Sequence, residues 1–262
     1  MLRSGVARGA YAVPPYSDFP KEEFERRVER TQKQMARKRV DVLVLWDKSN
    51  IRYYTGFHSI HWHAVSIQPA VCLIPIDREP VLIVPEFFRA VAEGQTYVRD
   101  VRGQVDPHCT DKIRELPDDV AAAVKSLGYE RGRIGIEAGR LGGMTVPRPI
   151  NDIDRFRTQL PHASMVEAAD LIWTSRIIKS PLEVEAISVA TRAVVLALDA
   201  LVSSFRMGMT ERDVGIVLQE VLVRESHDMD ALNVRCSSRR YPMPDTPPFY
   251  EGVDVVVGDR MV

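Results

Sequence analysis

The chain has 262 residues, 45% of them hydrophobic and 27% charged, and a formal net charge of −1. That material suffices for one large or two ordinary globular domains, and the neutral charge excludes a basic nucleic-acid or membrane-surface binder. Cys72, Cys109 and Cys236 are too few and too scattered for a disulfide framework or a zinc ribbon.

Residues 1–19 are rich in Pro, Gly, Ser and Tyr and read as an extended lead-in. A helix is predicted from Pro20-Lys21-Glu22 to Lys38, with Phe24, Val28, Thr31 and Met35 on its apolar face and Glu and Arg on the other. Val40–Trp46 reads as a buried strand, followed by the turn-forming cluster Asp47-Lys48-Ser49-Asn50. Pro69–Ile76 and Pro80–Pro85 read as two strands of a hairpin around Asp77-Arg78-Glu79. Then come a short helix over Glu86–Glu93, a strand over Tyr97–Val101, a helix over Asp111–Leu127 stopped by Gly128, and a strand over Arg133–Ala138. A helix over 151–160 and the strand SMVEA complete a mixed α/β domain over about residues 20–168.

Beyond Ala169 the texture becomes helical. Ser180-Pro181-Leu182-Glu183 is a capping box with proline at the first helical position. The helix it opens runs to Phe205, with Ile187, Ala190, Val194, Ala197, Leu198, Leu201 and Phe205 on one face. Thr210-Glu211-Arg212-Asp213 opens another, to Arg224, whose buried side is Val214, Val217, Leu218, Val221 and Leu222. Strand-like runs follow at Ala231–Ser237 and Asp254–Val262. No apolar run approaches the ~20 residues of a membrane span. The first residues lack the apolar stretch of a signal peptide. A cytoplasmic setting is therefore expected.

Three clusters invite chemistry. His58, His61 and His63 in GFHSIHWHA offer imidazoles, but no carboxylate or cysteine stands nearby at ligand spacing. In such a loop His61 and Trp62 suit contact with a substrate, here or across a subunit interface. GRLGG (139–143) follows a strand but fits no phosphate-binding pattern, so it reads as a turn. Arg239 and Arg240 could grip a carboxylate, or simply be solvated. No G-x-S-x-G element is present, so a serine-hydrolase nucleophile is not indicated.

Taken together, several segments resemble the creatinase/aminopeptidase P/prolidase ("pita-bread") family. Asn50–Phe57 (NIRYYTGF) is similar to the family's N-x-R-Y-L-T-G-F. IGIEA, RIIKSPLEVEAISVATRA, GMTERDV and VVVGDRMV follow in the family's order. The resemblance implies a ribonuclease-H-like, mixed-sheet α/β N-terminal domain (20–172). It also implies that residues 173–262 are the opening part of a pita-bread catalytic domain. Family members hold two divalent metal ions of the Mn, Co or Zn class between two Asp, one His and two Glu, and the pair generates hydroxide and polarises the scissile carbonyl. Creatinase and its close relatives work the same pocket without metal, through a histidine.

Two departures bear on activity. The first ligand strand begins at Asp259-Arg260-Met261-Val262, which places the family's ligands beyond Val262. Met243 stands where a histidine is expected, and no histidine follows His227. The resulting expectation is a metal-dependent hydrolase of a C–N bond in a small substrate or peptide amino terminus, with no metal bound by this chain and no activity in this form. A homodimer is implied, with His61, Trp62 and Arg240 as substrate-side residues. A non-catalytic interaction or regulatory module, or a related lyase, are the alternatives.

Overall fold

The computed structural model describes residues 18–58, 70–104, 116–137, 140–141, 144–145 and 150–225. The chain divides into two units, Met1–Ile178 and Lys179–Val262.

In the first unit, helix α1 (Lys21–Lys38) ends at Arg39, which adopts the left-handed conformation (φ 55°). Strand β1 (Val42–Leu45) leads into helix α2 (Lys48–Thr55). Strands β2 (Val71–Pro75) and β3 (Val81–Pro85) form the expected antiparallel hairpin. A 3-10 turn (Glu86–Phe88) and helix α3 (Arg89–Gln95) precede β4 (Asp100–Gln104). Then come helix α4 (Leu116–Ser126) and strand β5 (Arg133–Ile136). The short strands β6 (Arg140–Leu141) and β7 (Met144–Thr145) pair antiparallel, and the three glycines of GRLGG lie outside the described residues. Helix α5 (Ile150–Gln159), strand β8 (Ser164–Glu167) and helix α6 (Ala169–Arg176) close the unit.

The main sheet has the order β4-β3-β2-β1-β5-β8. β1 runs antiparallel to β2 and parallel to β5, and β5 runs parallel to β8. An antiparallel hairpin joined to a parallel trio is the ribonuclease-H-like arrangement expected. Helices cover both faces, so the central strands are apolar throughout rather than alternating. Period two still sorts them. Leu43 and Leu45 join Val28, Met35, Tyr54 and Leu171 on one side. Val42, Val44 and Trp46 join Val120, Val124 and Phe156 on the other. The sheet's edges are β4 and β8, and Arg102 on β4 is tied to Asp100 of the same strand at 2.7 Å.

Four local expectations change. The Asp47–Asn50 cluster is a helix start, because the Asp47 side chain accepts from Ser49 N (2.9 Å) and Asn50 N (3.0 Å) and caps α2. The strand expected at Tyr97–Val101 lies at Asp100–Gln104, where parallel pairing with β3 sets it. Glu23 and Arg27 of α1 are buried, not solvated. They pair at 3.1 Å, and Arg27 also donates to Tyr53 O at 2.8 Å, capping the C-terminal turn of α2.

The second unit contains helices α7 (Pro181–Ser204) and α8 (Glu211–Glu225) among its described residues. The capping box is present: Ser180 Oγ accepts from Glu183 N at 3.2 Å and Glu183 returns to Ser180 N at 2.8 Å. The fourth difference lies here. Of the expected inner face of α7 only Ala197 and Leu201 are buried, joined by Ala193, whereas Ile187, Val194 and Leu198 of that face are about half exposed. Small residues let the two helices approach closely, and Leu201 and Val214 form the shared core. By length and composition α7 could cross a membrane, against the expectation of no such run. Arg192, midway along the helix, weighs against that, since an arginine at a bilayer centre costs about 2.5–3.5 kcal/mol.

Gly135 of β5 is a tight point. A Cβ there would stand 2.9 Å from Ala168 Cβ and 3.0 Å from Val40 Cγ1. Gly135→Ala is expected to lower unfolding stability by about 1–3 kcal/mol, measured by denaturant titration.

Candidate functional site

In open α/β sheets functional groups gather beyond the carboxyl ends of parallel strands. Here β1 and β5 are such a pair, in register through Val44 and Ile136. Glu137, the residue after β5, is 1% exposed. Its Oε2 accepts from the backbone N–H groups of Trp46 (2.6 Å) and Asp47 (3.0 Å). Its Oε1 accepts from Asn50 Nδ2, and Asn50 Oδ1 in turn accepts from Arg176 Nη1. The guanidinium also lies 5.4 Å from the centre of the Tyr53 ring.

Burial pushes the Glu137 carboxyl up to about 7, and the Asp47 carboxylate adds to the rise. The hydrogen bonds from Asp47, Trp46 and Asn50 oppose it without winning. A second polar link lies nearby. Thr31 Oγ1 is 2.8 Å from Tyr54 Oη and 2.9 Å from Ser175 Oγ, tying α1, α2 and α6 together.

These contacts join three segments far apart in sequence: NIRYYTGF through Asn50, IGIEA through Glu137 and RIIKSP through Arg176. The carboxylate–amide–guanidinium chain positions elements. It offers no exposed nucleophile, and Cys72, the thiol among the described residues, is fully buried with its pKa pushed up by desolvation. No group of three or more His, Cys, Asp or Glu that could hold a metal ion occurs among the described residues.

His61, Trp62 and Arg240, the expected substrate-side residues, lie outside the described residues, as do His63 and Met243. His58 is described. Its backbone N–H donates to Gln95 Oε1 at 3.2 Å. In the sequence Asn50, Glu137 and Arg176 stand in three separate motifs, Asn50 also in a turn-forming cluster, and nothing local brings them together. An available signal was a lone glutamate directly after the apolar run Ile134–Ile136, where a carboxylate needs partners.

Residues 27–178, more than half of the 262-residue chain, match the model of the creatinase/prolidase N-terminal domain. The chain belongs to that family. An uncharacterised hydrolase/peptidase of Sinorhizobium fredii is 26% identical over 203 residues, 75% of this chain and 48% of the relative. The creatinase of a Bacillus species is 24% identical over 224 residues, 84% of this chain and 49% of its own. The chain thus spans about half the length of these curated relatives.

Among solved structures, the Xaa-Pro dipeptidase of Bacillus anthracis superposes with a TM-score of 0.61 at 19% identity, over 77% of this chain and 49% of that one. The prolidase of Pyrococcus horikoshii gives 0.65 at 18%, over 89% and 57%. At such identity the superpositions speak for the creatinase/prolidase fold alone.

Glu137 sets a pH dependence. Its folded pKa of about 7 exceeds the ordinary 4.5, so between these values the folded state holds a proton that the unfolded state has released. Its contribution to stability is therefore full below pH 4.5, is lost as pH rises to 7, and is flat beyond, on the order of 3 kcal/mol in all. Glu137→Gln should remove that slope, measured by urea titration at a series of pH values.

Proposed function

We propose that this protein serves the hydrolysis of a C–N bond in a small substrate or at a peptide amino terminus, as an Xaa-Pro peptidase or a creatinase-type enzyme. The observation that carries this reading is family membership over residues 27–178. The names of the relatives, a hydrolase/peptidase and a creatinase, agree with it.

Metal dependence belongs to the same proposal. The described residues do not make a metal site, so two divalent ions of the Mn, Co or Zn class would be held by residues elsewhere in the enzyme. The chain's own described contribution is positional. Glu137, Asn50 and Arg176 fix the ends of β1, β5 and α6 relative to one another. A cytoplasmic homodimer is part of the reading, with His61, Trp62 and Arg240 meeting substrate through an apolar indole face, a titratable imidazole and a carboxylate-gripping guanidinium.

The native protein should be purified without added metal and assayed against Xaa-Pro dipeptides, peptides with a penultimate proline, and creatine. The expected result is turnover of one class, abolished by chelator and restored by Mn²⁺ or Co²⁺. Creatine turnover that persists in chelator assigns the metal-free branch. No turnover of any class overturns the hydrolase reading and favours a non-catalytic module. In an active preparation Arg240→Ala should raise KM roughly tenfold or more with a smaller change in kcat, the signature of a lost charge-assisted contact to substrate.

A further inference from the structure

Arg176 is the last residue of α6, and Ile178 closes the first unit. The final carbonyls of a helix have no partners within it. Side chains from two other helices take them. Arg30 of α1 donates to Thr174 O (3.2 Å) and to Ile178 O (3.5 Å), and Tyr53 Oη of α2 donates to Ser175 O (3.1 Å). The Arg176 side chain runs the other way, into Asn50 and through it to Glu137.

The Asn50 amide can face only one way in this chain. An ionised carboxylate accepts and cannot donate, and a guanidinium donates and cannot accept. Nδ2 must therefore point at Glu137 and Oδ1 at Arg176, as found. One proton changes the rule. Oε2 already serves two backbone N–H groups, so a proton taken from solvent settles on Oε1, the oxygen facing Asn50. The new O–H needs an acceptor, and Asn50 Oδ1 supplies it once the amide turns over about χ2. Its NH₂ then meets the guanidinium, donor against donor, and Arg176 loses its bond to Asn50.

Among the described residues, the charged and titratable groups bearing on this site come from each element around it. Asp47 caps α2 and opposes the ionised form of Glu137. Cys72 of β2 stays a neutral thiol because burial raises its pKa. Tyr53 and Tyr54 of α2 face Arg176, the Tyr53 ring with its centre 5.4 Å from the guanidinium and Tyr54 a neutral phenol because burial raises its pKa, and Arg176 of α6 reaches Glu137 through Asn50.

We propose that Glu137, Asn50 and Arg176 form a proton-operated latch on the C-terminal turn of α6, closed when Glu137 is ionised and opened when Oε1 takes up one proton. The latch stands on these contacts alone and does not depend on the hydrolase reading. The Glu137 carboxyl titrates near neutrality, so the latch would work in the ordinary range of cell pH.

The test is hydrogen–deuterium exchange of the full chain at pH 6 and pH 8, corrected for intrinsic exchange rates. Amides in the last turn of α6 should be roughly tenfold better protected at pH 8. Glu137→Gln, neutral at every pH, should show the weakly protected value at both. Carbon-13 titration of the Glu137 carboxyl should have its midpoint where the α6 step falls. Global unfolding linked to Glu137 would give the opposite step, because the Glu137 contribution to global stability falls as pH rises. Equal corrected protection at both pH values, or a step retained in Glu137→Gln, overturns the latch. Should that variant not fold, Arg176→Met leaves the bonds of Glu137 to Trp46 and Asp47 in place. Loss of the step there supports the latch, and retention overturns it.

Discussion

A carboxylate without water has to be surrounded by donors, and Glu137 is the place where this first unit meets that requirement. Two backbone N–H groups come to it from the β1–α2 connection and a side-chain amide from the first turn of α2. That connection therefore cannot move independently of β5. Arg176 extends the constraint to α6 through a single asparagine. A solvated glutamate would impose nothing of the kind. Burial makes the residue costly if its partners leave, and that cost couples the segments.

Around this point the polar contacts form a second frame beside the apolar one. Arg27 and Glu23 pair inside the unit, and Arg27 closes the end of α2. Thr31, Tyr54 and Ser175 link three helices by hydroxyls. The apolar core gives the two-faced sheet most of its stability, but oily contacts tolerate sliding. Directional bonds at the helix ends choose one arrangement among the many that would bury the same area. Buried polar groups retained for specificity have precedent elsewhere, most clearly in register selection.

Much of the sheet was readable from local pattern. The apolar runs of β1, β2, β3 and β5 are continuous because helices cover both faces, and such runs look the same in sequence as in structure. The box at Ser180 and Glu183 was equally plain, since both partners lie within one turn. What escaped depends on distance along the chain. Asp47 to Asn50 has turn-forming residues, and whether they open a helix rests on α2 packing Ile51 and Tyr54 into the core. Glu23 and Arg27 look like surface charges until Tyr53 comes to meet them. On α7 periodicity marked one wide face, and packing against α8 buries only Ala197 and Leu201 of it, together with Ala193 beside them. The partners of Glu137 are 87 to 91 residues away, and no local pattern announces them. Family resemblance located all three motifs without explaining why they travel together. Their meeting at one carboxylate supplies the reason.

The edges of the sheet carry a different message. β4 ends the sheet on one side, and its outermost ladder pairs Arg102 with Asp100 along its own length. Charges set on an exposed rim make it a poor template for a strand from another molecule, because any newcomer would have to strip them of water. Growth by sheet continuation is thereby discouraged, a safeguard against the runaway self-addition that threatens open sheets. A strand that approached β4 would have to displace that ion pair before its backbone could add to the ladder.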